Sequence, residues 1–144
     1  LADVLPRDIV VLALHGELPV EKQSEALQPD PQGRRRVVLA TNAHHKSVTL
    51  KMARTGLAAR FDAIVSSHAL GAAKEEQEFW HRLRAIEPFD PARTALVDDS
   101  LPVLDSARRY GIAQLVAVKK PDTTRPQKST GDYPAIDDFS QLMP

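Results

Sequence analysis

Thr94-Ala95-Leu96-Val97-Asp98-Asp99-Ser100-Leu101-Pro102 is the stretch that decides the fold. Four residues with no charge among them end in two adjacent acids, and a proline follows where a helix would open. A short continuous apolar run of this kind reads as a parallel strand buried on both faces, and proline in the first turn suits a helix start. Working outward, Val37-Val38-Leu39-Ala40, Phe61-Asp62-Ala63-Ile64-Val65 and Gln114-Leu115-Val116-Ala117-Val118 repeat the strand signature. Helical spacing lies between them. Ser47 to Thr55 ends before Gly56, and Glu75 to Ile86 carries Phe79, Leu83 and Ile86. Pro102 to Tyr110 carries Val103, Leu104 and Ala107 and ends before Gly111. The alternation of strand and helix predicts an α/β fold, with a parallel sheet, right-handed crossovers and helices on both faces.

Upstream, Ile9 to Leu14 is a further strand candidate and Glu21 to Leu27 a short helix. Downstream, Pro121 to Asp132 reads as a surface loop, and Asp137 to Leu142 as a short helix with Ile136, Phe139 and Leu142 along its apolar stripe. We therefore expect one domain: an N-terminal segment over 1–33, a core over 34–120, and a loop and helix over 121–144 that complete it. At 144 residues the chain is long enough for a single core.

Composition narrows the function classes. Lysine plus arginine equals aspartate plus glutamate at 19 each, so no global field recruits nucleic acid or an anionic membrane. Arg34-Arg35-Arg36 then reads as a solvated patch before a strand. With no cysteine there are no disulfides, thiolate nucleophiles or cysteine-held metals, and a reducing cytoplasm is the expected compartment. No apolar run approaches the ~20 residues of a membrane helix. The chain opens on leucine, which suggests a trimmed or incomplete gene product. Oligomeric state is not legible.

In an open α/β sheet, ligands bind beyond the carboxyl ends of the strands. Three such positions are polar: Thr41-Asn42, Lys74 after Gly71-Ala72-Ala73, and Asp98-Asp99-Ser100. Taken singly, Thr41 or Asn42 serves as well for a helix cap, and Lys74 for a solvated lysine. Asp98-Asp99 is balanced between a metal site and the cap of the next helix. Taken together, a hydroxyl, an ammonium and two carboxylates suit a phosphate monoester beside Mg²⁺. His44-His45 offers no third metal ligand, and Phe79-Trp80 reads as packing rather than a base-stacking platform.

These residues, in this order, resemble the haloacid dehalogenase-like superfamily. Its apolar strand ending in Thr or Ser is matched by Val37 to Asn42, its later lysine by Lys74, and its strand ending in paired acids by Ala95 to Asp99. Thr41-Asn42-Ala43-His44, Arg54-Thr55-Gly56-Leu57, Lys74-Glu75, Phe79-Trp80 and Val97 to Ser100 are similar to bacterial nucleotidases of the GMP/IMP type. The resemblance implies a three-layer Rossmann-like core and Mg²⁺-dependent hydrolysis of a small phosphate ester, such as a purine nucleoside monophosphate, through an aspartyl-phosphate. It further implies Thr41 and Lys74 as catalytic residues, Thr41, Asn42 and Lys74 as phosphate ligands, and Asp98 and Asp99 as metal ligands. At the front the chain departs from the family. Family members open with Asp-x-Asp-Gly-Thr, whereas Asp8 to Leu18 here places Ala13 at the nucleophile and His15 at the acid/base position, and alanine cannot form an acyl-phosphate. Only about twenty residues separate Gly16 from Arg36, too few for the usual helical cap, so no substantial cap is expected. A non-catalytic binding module and a gene fragment stand beside the phosphatase reading.

Overall fold

The computed structural model describes residues 9–12, 36–56, 61–119 and 130–137. Six strands lie among them: β1 (Ile9–Leu12), β2 (Arg36–Thr41), β3 (Ala63–Ser66), β4 (Thr94–Asp98), β5 (Gln114–Val118) and β6 (Ala135–Ile136). They form one sheet in the order β3-β2-β1-β4-β5-β6, and every neighbouring pair is parallel. Among the described residues, four α-helices lie between these strands: α1 (His45–Thr55), α2 (Ser67–Leu70), α3 (Gln77–Ile86) and α4 (Leu101–Tyr110).

Successive side chains of a strand point to opposite faces, so a run buried throughout needs cover on both. On one face Val37 and Leu39 of β2 join Ala95, Val97, Val116 and Val118, packed with Met52 of α1 and with Phe61. On the other, Val38, Ala40, Leu96 and Ala117 meet Phe79, Trp80 and Leu83 of α3 and Val103, Leu104 and Ala107 of α4. Helix, sheet, helix is the result, as expected. Between α3 and α4 a polar tie crosses the apolar layer: Trp80 Nε1 donates to Ser106 Oγ at 3.0 Å, and Gln77 Nε2 to the Ser106 carbonyl at 2.7 Å. The Trp80 ring thus packs in the core, edge-on to Phe79 at 5.0 Å.

Element ends differ from the sequence reading for local reasons. Helix α1 opens at His45, because His44 Nδ1 accepts from the Lys46 amide at 3.2 Å; neither Thr41 nor Asn42 caps it. Gly56 and Gly111 close α1 and α4 at φ 66° and 106°, the left-handed region glycine enters most easily. Strand β3 opens at Ala63 rather than Phe61, since Asp62 spends its side chain on the Val37 amide at 2.7 Å. Helix α2, only four residues long, carries too little periodicity to read, and α3 opens at Gln77 rather than Glu75. Ile86 is 55% exposed; Trp80 is buried on α3 in its stead. Arg36 pairs with Glu87 while its side chain stays 42% exposed.

The end of the chain is corrected too. Ile136 is not on a helical stripe: it lies in β6, paired with Val118, and Asp137 is in a bend. The expectations for Ala13, His15, the Glu21 to Leu27 helix, residues 121–129 and residues 138–144 lie outside the described residues. So do Arg34 and Arg35.

The segment carrying β6 is fastened to α4 by Tyr133. Its hydroxyl donates to the Asp105 carboxylate, and the Arg108 guanidinium sits 4.4 Å from the ring centre. Burial, reinforced by the bond to Asp105, pushes the Tyr133 hydroxyl up from 10.0 to about 12. With the folded value above the ordinary one, the contribution is whole below pH 10 and disappears as pH climbs toward about 12. Tyr133→Phe should cost about 0.5–1.5 kcal/mol at neutral pH. Urea unfolding of both proteins across pH 7 to 12 checks it: the gap between them should close over the last two pH units.

Candidate functional site

The register of the sheet sets the levels of the strand ends. Leu12 of β1 pairs with Leu39 on one side and Val97 on the other, so Ala40 and Asp98 stand at one height and Thr41 one residue beyond. Strands β2 and β4 flank β1, about 10 Å apart at ordinary strand spacing. The sequence thus delivers a hydroxyl and a carboxylate to the same sheet edge, with the width of one strand between them.

Lys74 spans that width. Its backbone N–H donates to Asn42 Oδ1 at 3.0 Å, just past the end of β2. Its Nζ reaches Asp98 Oδ2, at the end of β4, at 2.8 Å, with both side chains wholly buried. The other Asp98 oxygen accepts from the Ser100 amide at 2.9 Å, where α4 begins. Ser100 is the N-cap residue of α4 yet makes no side-chain capping bond, so the Asp98 carboxylate serves that end of the helix instead. Lys74, read singly as a solvated lysine, is among the largest fully buried side chains of the described residues.

Thr41 is buried, and its Oγ1 accepts from the Ala43 amide at 3.0 Å, which leaves the hydroxyl proton available for donation. Asn42 uses its carbonyl oxygen on Lys74 and donates Nδ2 to both Glu75 oxygens, at 3.0 and 3.3 Å. Asp99 is 9% exposed beside Asp98. Of the residues named from sequence, Asn42, Lys74 and Asp98 therefore touch in series, while Thr41 and Asp99 are their chain neighbours. Glu75 was given no role, although the pair Lys74-Glu75 stands among the stretches that carry the family resemblance.

Next to this series lies a cleft of about 510 Å³ lined by Asn42, Ser67, His68, Ala73, Glu75 and Glu76, among others. His44 and His68 meet edge to face, with ring centres 5.2 Å apart. Among the described residues no group of three or more His, Cys, Asp or Glu side chains could hold a metal ion. Nor is any helix among them long and apolar enough to cross a membrane.

No family model matches the sequence. Over 112 residues, however, the chain is 35% identical to the GMP/IMP nucleotidase YrfG of Escherichia coli, a match covering 78% of this chain and 50% of that protein. The chain thus spans about half the length of this curated relative. A segment of 51 residues is 41% identical to the ATP-dependent RNA helicase HrpB of Escherichia coli, covering 35% of this chain and 6% of that protein, too short a share to carry an activity across. Many solved structures share the fold, and two serve as examples. The magnesium-bound HAD-hydrolase YfnB of Bacillus subtilis superposes with a TM-score of 0.67 at 18% identity, covering 85% of this chain and 51% of that one. The L-2-haloacid dehalogenase of Xanthobacter autotrophicus gives 0.68 at 14% identity, with 88% and 59% covered.

Removing one member of a buried ion pair strands the other in low dielectric. Lys74→Met should therefore destabilise the fold by about 3–5 kcal/mol. In Lys74→Met/Asp98→Asn no charge is left behind, and more than half of that loss should return. Urea unfolding of the two variants is the measurement.

Proposed function

The chain belongs to the haloacid dehalogenase-like superfamily, and from that premise we propose that it holds a phosphate monoester, of the purine nucleoside monophosphate class, at the carboxyl edge of its sheet. One observation carries the reading: a lysine buried at that edge with its amine held 2.8 Å from a strand-end carboxylate. An ammonium inside a fold is costly, and a site that takes an anion gives it a use. Thr41 donates its hydroxyl proton to a phosphate oxygen, and Lys74 offsets phosphoryl charge. The amides at the start of α1 supply further donors.

Asp98 and Asp99 fit Mg²⁺ in kind and number. The ion takes hard oxygens, is commonly held by one or two carboxylates plus substrate phosphate, and keeps several waters. When bound it supplies charge neutralisation at the phosphoryl oxygens. Asp98 holds Lys74 and the α4 amide on its two oxygens, so in this reading it orients the lysine and would meet the cation through the lone pairs those bonds leave over. The leaving group extends towards the cleft beside Asn42 and Glu75.

A second reading rests on the first motif. The nearest match to that motif, Asp8 to Leu18, would place Ala13 and His15 at the positions of the family's nucleophile and acid/base. A methyl group has no lone pair with which to attack phosphorus, so the chain would bind the ester without forming the aspartyl-phosphate. Two measurements test the pair of readings. Calorimetry with inorganic phosphate and Mg²⁺ should show saturable binding, weakened about tenfold or more by Thr41→Val, the size of one hydrogen bond to a charged group. Turnover of a purine nucleoside monophosphate should be low in the natural sequence and rise on Ala13→Asp/His15→Asp. No binding in the first assay sinks the phosphate site; unchanged turnover in a folded double variant sinks the alignment of the first motif.

A further inference from the structure

We propose that Asn42 is a positioning residue whose side chain acts as a strut for Lys74 rather than as a ligand of phosphate. The inference rests on the phosphate-site reading for its purpose but not for its geometry. A carboxamide has one acceptor end and one donor end, and here both are spent on the same short loop. Oδ1 accepts the Lys74 backbone N–H at 3.0 Å, and Nδ2 straddles the Glu75 carboxylate at 3.0 and 3.3 Å. Two consecutive residues of the loop are thereby fixed to the residue after β2.

Lysine has four rotatable side-chain bonds, so an amine is well placed only if both its ends are held. Asp98 holds the amine end and Asn42 the backbone end, so the position of Lys74 is set from β2 and from β4 together. The residues from Gly71 to Glu76 lie between α2 and α3 in turns and bends, whose own backbone bonds are local, Ala72 to Ser67 and Glu76 to Ala73. The Asn42 fork starts from the residue that directly follows β2, the strand ending in Thr41. The two proposed phosphate ligands are therefore tied to each other through the side chain of the residue between them in the wiring.

Polarity makes the strut testable. Asn42→Ala removes both bonds. Asn42→Asp/Glu75→Gln reverses the donor in the second bond while keeping the acceptor for the Lys74 amide, and it leaves the net charge of the loop unchanged. Hydrogen exchange at the Lys74 amide and calorimetry with inorganic phosphate and Mg²⁺ are the readouts, with thermal melting as the control for folding. In Asn42→Ala the Lys74 amide should exchange about 3- to 10-fold faster, the size of one hydrogen bond, and phosphate affinity should fall by a similar factor. The double variant should return both to within about threefold of the natural protein, and Glu75→Gln alone should move neither, since its carbonyl oxygen still accepts from Nδ2. An unchanged Lys74 amide in Asn42→Ala, or a folded double variant no better than Asn42→Ala, overturns the strut. If the natural protein binds no phosphate while the amide responds as stated, the strut stands and the phosphate-site reading falls.

Discussion

A lysine ammonium fully buried against a strand-end carboxylate is the constraint around which the described sheet edge is arranged. Neither charge is tolerable alone in that environment, so each demands that the other be delivered with little error. Delivery requires β4 to end at Asp98 and the loop after α2 to present Lys74 at the same height. The register that pairs Leu12 with both Leu39 and Val97 sets that height. The ion pair is weak testimony for stability, since two charges have lost their water, and strong testimony for specificity of placement.

The placement is achieved by small polar side chains working on backbone groups. Asp98 takes the Ser100 amide, Thr41 the Ala43 amide, Asn42 the Lys74 amide and His44 the Lys46 amide. Each satisfies an N–H that the start of a helix or loop would otherwise leave open. The same residues stand at the carboxyl edge where ligands of open α/β sheets bind. Satisfying the backbone and building a polar edge are here one act, which is why a cap and a ligand are so hard to tell apart from sequence.

Much of the edge was nonetheless legible. The strand ends Thr41 and Asp98 follow from where the apolar runs stop, and Lys74 from its place after Gly71-Ala72-Ala73, supported by the family pattern. Its burial did not. A lysine after Gly71-Ala72-Ala73 carries no sequence mark of an interior position, and only the fold of the loop under Asn42 turns it inward. The cap of α1 was missed because histidine is not a customary cap; its Nδ1 does the work that an aspartate oxygen does elsewhere. Ile136 was given to a helix because a spacing of three also suits chance, and β5 had an open edge that two residues could extend.

What the sequence determined alone is the layering and the order of elements. Runs such as Val37 to Ala40 and Ala95 to Val97 must be covered on both faces, and that demand needs no knowledge of neighbours. What only the tertiary structure decided is which polar groups meet. Asn42 and Lys74 are 32 residues apart and Lys74 and Asp98 are 24 apart. Nothing in either local stretch states the other's direction, because hydrogen bonds of a few ångströms are set by the packing of whole strands, whereas apolar burial is written residue by residue.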